Sequence, residues 1–193
     1  MKVNVVLFWT IILILPQKSN CQINHVFKSL KEANSVHKDS VYNLQLVKSK
    51  LDTFPTQILS FSNLRHLDLS KNKLKTLPTG LKELKYLEVL NLTKNKFTQF
   101  PTTLCSTLTL KTLKLGRNNI SILPICIGQL INLEYLDIWY NNITVLPRSM
   151  SQLTNLKSID FRGINLSEKT QNQIQQLLPT VKIEFDQGCN CGN

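Results

Sequence analysis

Between residues 44 and 161 the chain repeatedly sets two large apolar residues around a single intervening one: Leu44/Leu46, Leu67/Leu69, Leu90/Leu92, Leu113/Leu115, Leu136/Ile138 and Ile159/Phe161. Successive pairs lie 23 residues apart without insertion or deletion. Pro55, Pro78, Pro101, Pro124 and Pro147 keep the same period, each preceded by Phe54, Leu77, Phe100, Leu123 or Leu146. Chance does not place two ladders in one register, so the pattern is an internal repeat. Alternate residues of a strand point to opposite faces, so each pair predicts a short strand with its apolar residues inward and the residue between them outward. Asn72, Asn95, Asn118 and Asn141 stand three residues after a pair, and Leu51, Leu74, Phe97, Ile120, Ile143 and Leu166 mark the position two further on. An asparagine amide both donates and accepts, which suits a turn whose backbone groups have left the strand ladder. These four are therefore expected to be structural. Ser49 takes their place in the first turn and Ile164 in the last, where a coil has only one neighbour.

The repeat L-x-L-x-x-N-x-L-x-x-L-P over residues 41–166 resembles the leucine-rich repeat family in its 23-residue Leu-Pro variety. That resemblance implies an α/β repeat solenoid: six repeats in a right-handed coil, with a short parallel β-sheet on the concave face. Stacked repeats expose apolar core at both ends, so caps are required. Before the array, Val26, Phe27, Leu30 and Ala33 follow helical spacing and predict a helical cap within residues 22–40. After it, residues 167–186 predict a helix-strand cap. Ser167 is the N-cap, Glu168 lies in the first turn, and Ile174, Leu177 and Leu178 form the stripe before Pro179. Val181, Ile183 and Phe185 then alternate as a closing strand, and a Cys-containing tail occupies residues 187–193. This ending resembles that of short secreted bacterial members of the family, which predicts a whole array and not a fragment of a receptor.

The first residues change the picture of where the protein works. Lys2 precedes an apolar run from Val5 to Leu15, too short for a spanning helix, and Pro16 closes it before Gln17, Lys18, Ser19 and Asn20. Residues 1–21 read as a secretory signal peptide, with Ser19 and Cys21 as the small residues before the cut and Gln22 as the new N-terminus. A lipid anchor on Cys21 and an uncleaved N-terminal anchor are the alternatives, and Lys18 stands where lipidation wants an aliphatic residue. The compartment expected is extracytoplasmic, secreted or at the cell surface. No second stretch of sequence approaches membrane length. The chain carries 23 Lys and Arg against 12 Asp and Glu, a basic balance that favours anionic partners. For an exported protein, a glycan or an acidic protein then comes before nucleic acid.

Candidates for chemistry are few. Histidines stand at 25, 37 and 66 only, and His66 with Asp68 forms either a proton-transfer pair or a solvated surface pair. There is no phosphate-cradling glycine loop and no serine elbow, so the chain is read as a binding protein without catalysis or cofactor. Cys105 and Cys126 lie 21 residues apart on the Leu-Pro side of consecutive repeats, and read as two buried thiols with a disulfide as the alternative. Cys189 and Cys191 offer two soft ligands where a zinc site wants four, so no metal is expected. Asn91, Asn119, Asn142 and Asn165 head Asn-x-Ser/Thr sequons, and a glycan on Asn91 would obstruct the concave face.

Two surfaces carry the functional expectation. In the fifth repeat Tyr135, Asp137, Trp139 and Tyr140 gather about one strand, with Arg162 one repeat away. Aromatics and arginine dominate binding hot spots, so this is the predicted protein-binding site, with packing of Trp139 and Tyr140 along the coil edge as the structural alternative. The second surface is a ridge of Lys48, Lys50, Lys71, Lys73, Lys94, Lys96 and Arg117 in the turns after the strands. It reads as a solvated face or as a track for a polyanion or acidic glycan. The leading function is a secreted scaffold for protein recognition through the concave sheet. A polyanion-binding adhesin is the second, and an intracellular scaffold resembling the Ras-group leucine-rich repeat proteins is the third.

Overall fold

The computed structural model describes residues 24–186. The expected leader, the new terminus at Gln22 and the Cys189/Cys191 tail lie outside the described residues. The repeat folds as the spacing predicts. Strands β1 (Val26–Phe27), β2 (Asn43–Gln45), β3 (His66–Asp68), β4 (Val89–Asn91), β5 (Thr112–Lys114), β6 (Tyr135–Asp137), β7 (Ser158–Asp160) and β8 (Lys182–Glu184) form one parallel sheet in chain order. Leu44, Leu67, Leu90, Leu113, Leu136 and Ile159 stand in one register, each at most 2% exposed. Burying one such side chain stabilises the fold by about 2 kcal/mol. Slipping the register by one residue would turn the whole row to water.

Each Leu-Pro step starts a five-residue 3₁₀ turn on the side opposite the sheet: Thr56–Ser60, Thr79–Glu83, Thr102–Ser106, Ile125–Gln129 and Arg148–Gln152. Proline suits the entry because its φ is already fixed near the required value and it has no N–H to leave unpaired. Cys105 and Cys126 sit in two consecutive turns of this series with Cα atoms 5.7 Å apart, and they form a disulfide. The expectation of two buried thiols is thereby overturned. Adjacent coils bring the two turns within reach of one S–S bond, the alternative that their places on consecutive repeats had left open.

The flanks cap the stack. The spacing of Val26, Phe27, Leu30 and Ala33 predicts one helix, but only α1 (Leu30–Ala33) is helical, capped by Ser29. Val26 and Phe27 instead pair with Asn43 and Leu44 as β1. An edge strand with open N–H and C=O groups is available there, and extending the sheet satisfies more backbone than a further helical turn would. At the other end helix α2 (Glu168–Leu177) begins at Ser167, whose hydroxyl accepts from the Thr170 N–H. Ile183 of β8 continues the apolar row beside Ile159, and Phe161 stacks on Phe185 with ring centres 5.7 Å apart.

The asparagine ladder occupies the turns that follow the strands. Asn118 donates to the Leu92 and Leu115 carbonyls and accepts from the Phe97 N–H, at 3.0, 2.8 and 3.1 Å. Asn72, Asn95 and Asn141 repeat the arrangement one coil apart. The residue before each of them is left-handed: Lys71, Lys94, Arg117 and Tyr140 have φ between 48° and 59°. Lys48 at 55° and Gly163 at 73° extend the same column to its two ends. A non-glycine residue there costs about 1 kcal/mol, which the asparagine bonds on the next residue offset.

Candidate functional site

The outward residues of the strands line the concave face. Over the first five strands they enclose a shallow hollow of about 310 Å³ bordered by Asn43, Gln45, His66, Asp68, Asn91 and Lys114. Most of its floor is committed to the fold. Asp68 accepts from the Ser70 N–H at 2.8 Å and from the Asn91 amide at 3.0 Å, and Asn91 in turn accepts from the Thr93 N–H. His66 bonds Asn43, so His66 and Asp68 are not arranged as a proton-transfer pair. The same side-chain-to-backbone turn recurs at Asp160, which accepts from the Arg162 N–H at 2.9 Å. A small polar residue in this column thus holds the strand end, a role that the outward position alone did not reveal.

A second hollow of about 170 Å³ lies over the last strands, bordered by Lys114, Tyr135, Asp137, Ser158, Asp160 and Glu184. Asp137 is its least comfortable group. Burial and the neighbouring Asp160 carboxylate push it up to about 6, against the Trp139 N–H groups and Lys114, which pull the other way. Asp137 Oδ1 is covered from solvent and closes no hydrogen bond. Asp160 shows the opposite balance. Burial again raises it, but the Arg162 guanidinium, bidentate at 3.0 and 2.6 Å, holds the carboxyl below its ordinary range. Arg162 also reaches Glu184 at 3.4 Å, so its charge is spent within the sheet.

The aromatic residues of the fifth repeat divide into two places. Tyr135, at the start of β6, is 45% exposed and lies under the ammonium of Lys157, 5.8 Å from its ring centre. Trp139 and Tyr140 lie past the other end of the strand, edge to face at 5.3 Å. Glycines seat them: a Cβ on Gly116 would fall 2.0 Å from the Trp139 ring nitrogen, and one on Gly163 would fall 2.4 Å from the Tyr140 ring. The guanidinium of Arg117 covers both rings at 4.9 and 5.1 Å. Trp139 is therefore half-buried against the preceding coil, whereas Tyr140 is 54% exposed. Arg117, grouped with the ridge by its spacing, belongs equally to this aromatic cluster.

The ridge itself follows the left-handed column. Lys48, Lys71, Lys94 and Arg117 leave the backbone in one conformation and are all exposed. Lys50, Lys73 and Lys96 form a parallel row two residues on. Lys75 lies beside them, a neighbour that the spacing of the ridge had not singled out. Among the described residues no helix is long and apolar enough to cross a membrane, and no group of three or more His, Cys, Asp or Glu is placed to hold a metal ion.

The leucine rich repeat profile matches residues 39–97, and a second leucine rich repeat profile matches residues 132–153. No curated protein matches the chain. Among solved structures, the fold is similar to that of a leucine-rich repeat protein of Leptospira interrogans, with 34% identity and a TM-score of 0.66 over 75% of this chain and 36% of that one. It is also similar to internalin C2 of Listeria monocytogenes, with 20% identity and a TM-score of 0.66 over 82% and 66% of the two chains. The plant peptide hormone receptor RGFR1, in complex with RGF2, gives 24% identity and a TM-score of 0.54 over 74% and 23%. The last two are likenesses of fold alone. The chain thus spans little more than a third of the Leptospira protein, about two thirds of the internalin and a quarter of the receptor. Sequence period, parallel sheet and asparagine ladder agree with these matches: the chain is a leucine-rich repeat protein.

Proposed function

We propose that this chain is an extracytoplasmic recognition scaffold that binds a protein partner through its concave sheet, anchored on the fifth repeat. The observation that carries the reading is the division of labour along β6 and its edge. Leu136 and Ile138 serve the core, while Tyr135 and Tyr140 hold large aromatic surfaces in solvent on a rigid frame. Such residues bury much area on binding at little entropic cost. Asp137, Trp139 and Arg162 stand between and beside them, tied into the frame, and would shape the contact more than supply free groups. The Cys105–Cys126 bond supports an oxidising compartment, in line with the expected leader and against an intracellular scaffold.

The test begins with capture of extracellular proteins on the immobilised domain, followed by affinity measurement for a purified binder. Tyr135→Ala and Tyr140→Ala should each weaken binding by about 2 kcal/mol, the scale of a hot-spot residue, with unchanged melting. Thr154→Ala, exposed on the far side of the coil, should leave it as it was. A binder indifferent to both tyrosines and sensitive to Thr154 would overturn the concave assignment.

A further inference from the structure

The charges of this protein are segregated, and the segregation points to a ligand. At the edge where strands begin, cations are matched: Arg65 and Lys111 share Glu88 at 2.7 and 3.1 Å, and Lys157 meets Glu134 at 2.6 Å. On the concave face Arg162 and Lys182 are paired with Asp160 and Glu184. At the edge where strands end the pattern reverses. Among the described residues, Lys48, Lys50, Lys71, Lys73, Lys94 and Lys96 have neither an ion pair nor a side-chain hydrogen bond. The acidic residue of that edge is Asp52, which bonds Thr53. Other cations without an ion pair, Lys82, Lys114, Arg148 and Lys169 among them, stand singly, whereas this edge sets six in two rows at the period of the coil.

Geometry turns this edge into an ordered row. The left-handed backbone at Lys48, Lys71, Lys94 and Arg117 is the same in each coil, so the side chains leave it in the same direction. Parallel neighbours lie about 4.8 Å apart, so the four cations span about 14 Å along the solenoid, with the second row of lysines beside them. The next member of the column is Tyr140, where the row of cations ends.

We propose that this turn edge binds a linear anionic polysaccharide lying along the solenoid axis, with its charged groups over the lysine rows. A polymer with regularly repeated charge complements a row with regularly repeated cations, whereas the acidic patch of a folded protein has no such period. Single-stranded nucleic acid fits less well, because it is gripped by aromatic rings alternating with the charges, and four successive coils here offer cations without a ring between them. The site is separate from the concave reading above and stands or falls without it.

The probe is a size-defined heparin oligosaccharide, titrated against the folded domain at low and physiological salt, beside a single-stranded DNA of matched charge. The unmodified protein should bind the oligosaccharide at physiological salt, more tightly than the DNA. Combining Lys71→Ala, Lys73→Ala and Lys94→Ala should weaken binding by about ten-fold or more and flatten its salt dependence, since fewer counterions are released. Combining Lys82→Ala, Arg148→Ala and Lys169→Ala removes the same charge from other exposed positions and should change affinity by less than about two-fold. Thermal melts confirm that both triple variants fold, and Tyr135→Ala should bind the oligosaccharide as the parent does. Equal losses in the two triple variants would reduce the effect to net charge and overturn the site. Equal or tighter binding of the DNA would overturn the polysaccharide assignment, and absence of binding at physiological salt would overturn both.

Discussion

Truncating a central rung of the asparagine ladder should cost less than truncating its last one, the reverse of the usual expectation that the middle of a solenoid matters most. The reason is that carbonyls are shared. The Leu92 oxygen accepts from both Asn95 and Asn118, and the Leu115 oxygen from both Asn118 and Asn141. In Asn118→Ala each keeps one donor, and the Phe97 N–H is the group left without its bond. One orphaned buried donor costs about 1–3 kcal/mol. In Asn141→Ala the Ile120 N–H and the Ile138 carbonyl both lose their asparagine, and Ile164 at the next rung cannot replace it. Both residues are fully buried, so the cost should rise to about 2–4 kcal/mol. Urea unfolding followed by circular dichroism and by tryptophan fluorescence would measure the difference, with coincident curves securing the two-state treatment. Lys94→Ala, an exposed side chain beside Asn95, serves as the reference and should shift stability by less than about 0.5 kcal/mol. A loss for Asn118→Ala equal to or above that for Asn141→Ala would refute the shared-carbonyl reasoning.

Asp137 makes stability depend on pH in an unusual direction. Because its carboxyl titrates near 6 in the fold, above the unfolded value, the folded state holds the proton more tightly; that contribution is present at acid pH and is lost as pH rises through about 6. After allowance for solvent screening, Asp137→Asn should stabilise by about 1 kcal/mol at pH 7 and by little near pH 4, so an equal gain at both would sink the assignment. Reducing the Cys105–Cys126 bond, which closes a 21-residue separation, should remove about 3 kcal/mol and lower the melting temperature. A Cys105→Ser/Cys126→Ser variant should melt at the lower value with or without reductant, and a parent indifferent to reductant would show that the bond does not form.

What the sequence disclosed was whatever the period imposes. Leu67, Leu90 and Leu113 had to face one way because alternation and a fixed repeat leave no other choice, and Asn95 and Asn118 had to serve the turn that follows. The Leu-Pro steps marked the return turns because proline constrains φ wherever it stands. Features set by one coil against the next were hidden. Val26 and Phe27 are too few to declare a period, so the helical spacing of their neighbours masked an edge strand. The left-handed column carried no glycine signature until Gly163, because Lys71, Lys94 and Arg117 occupy it under support from the ladder. One cue to the aromatic cluster was present: Gly116 stands one repeat before Trp139 in the same outward column, a small residue opposite a large one. Arg117 over both rings had no such cue, since spacing assigned it only to its own row.

The register of the sheet has a consequence for how this molecule can change length. From Leu44 to Ile159 every step between paired inward residues is 23, but the step from Ile159 to Ile183 is 24. Between β2 and β7 the chain is a ruler with interchangeable divisions, whereas its last interval is cut to a different measure. Duplicating or deleting the unit of Leu67, which lies outside the Cys105–Cys126 bond, would keep the same inward leucine at each junction and would move the far end by about 4.8 Å. A unit added after β7 would meet a helix and an offset strand in place of a matching turn. Growth and loss are therefore easier in that part of the interior than at the closing end, and the reach of the proposed binding faces can be tuned in whole coils while the closing helix and strand stay as they are.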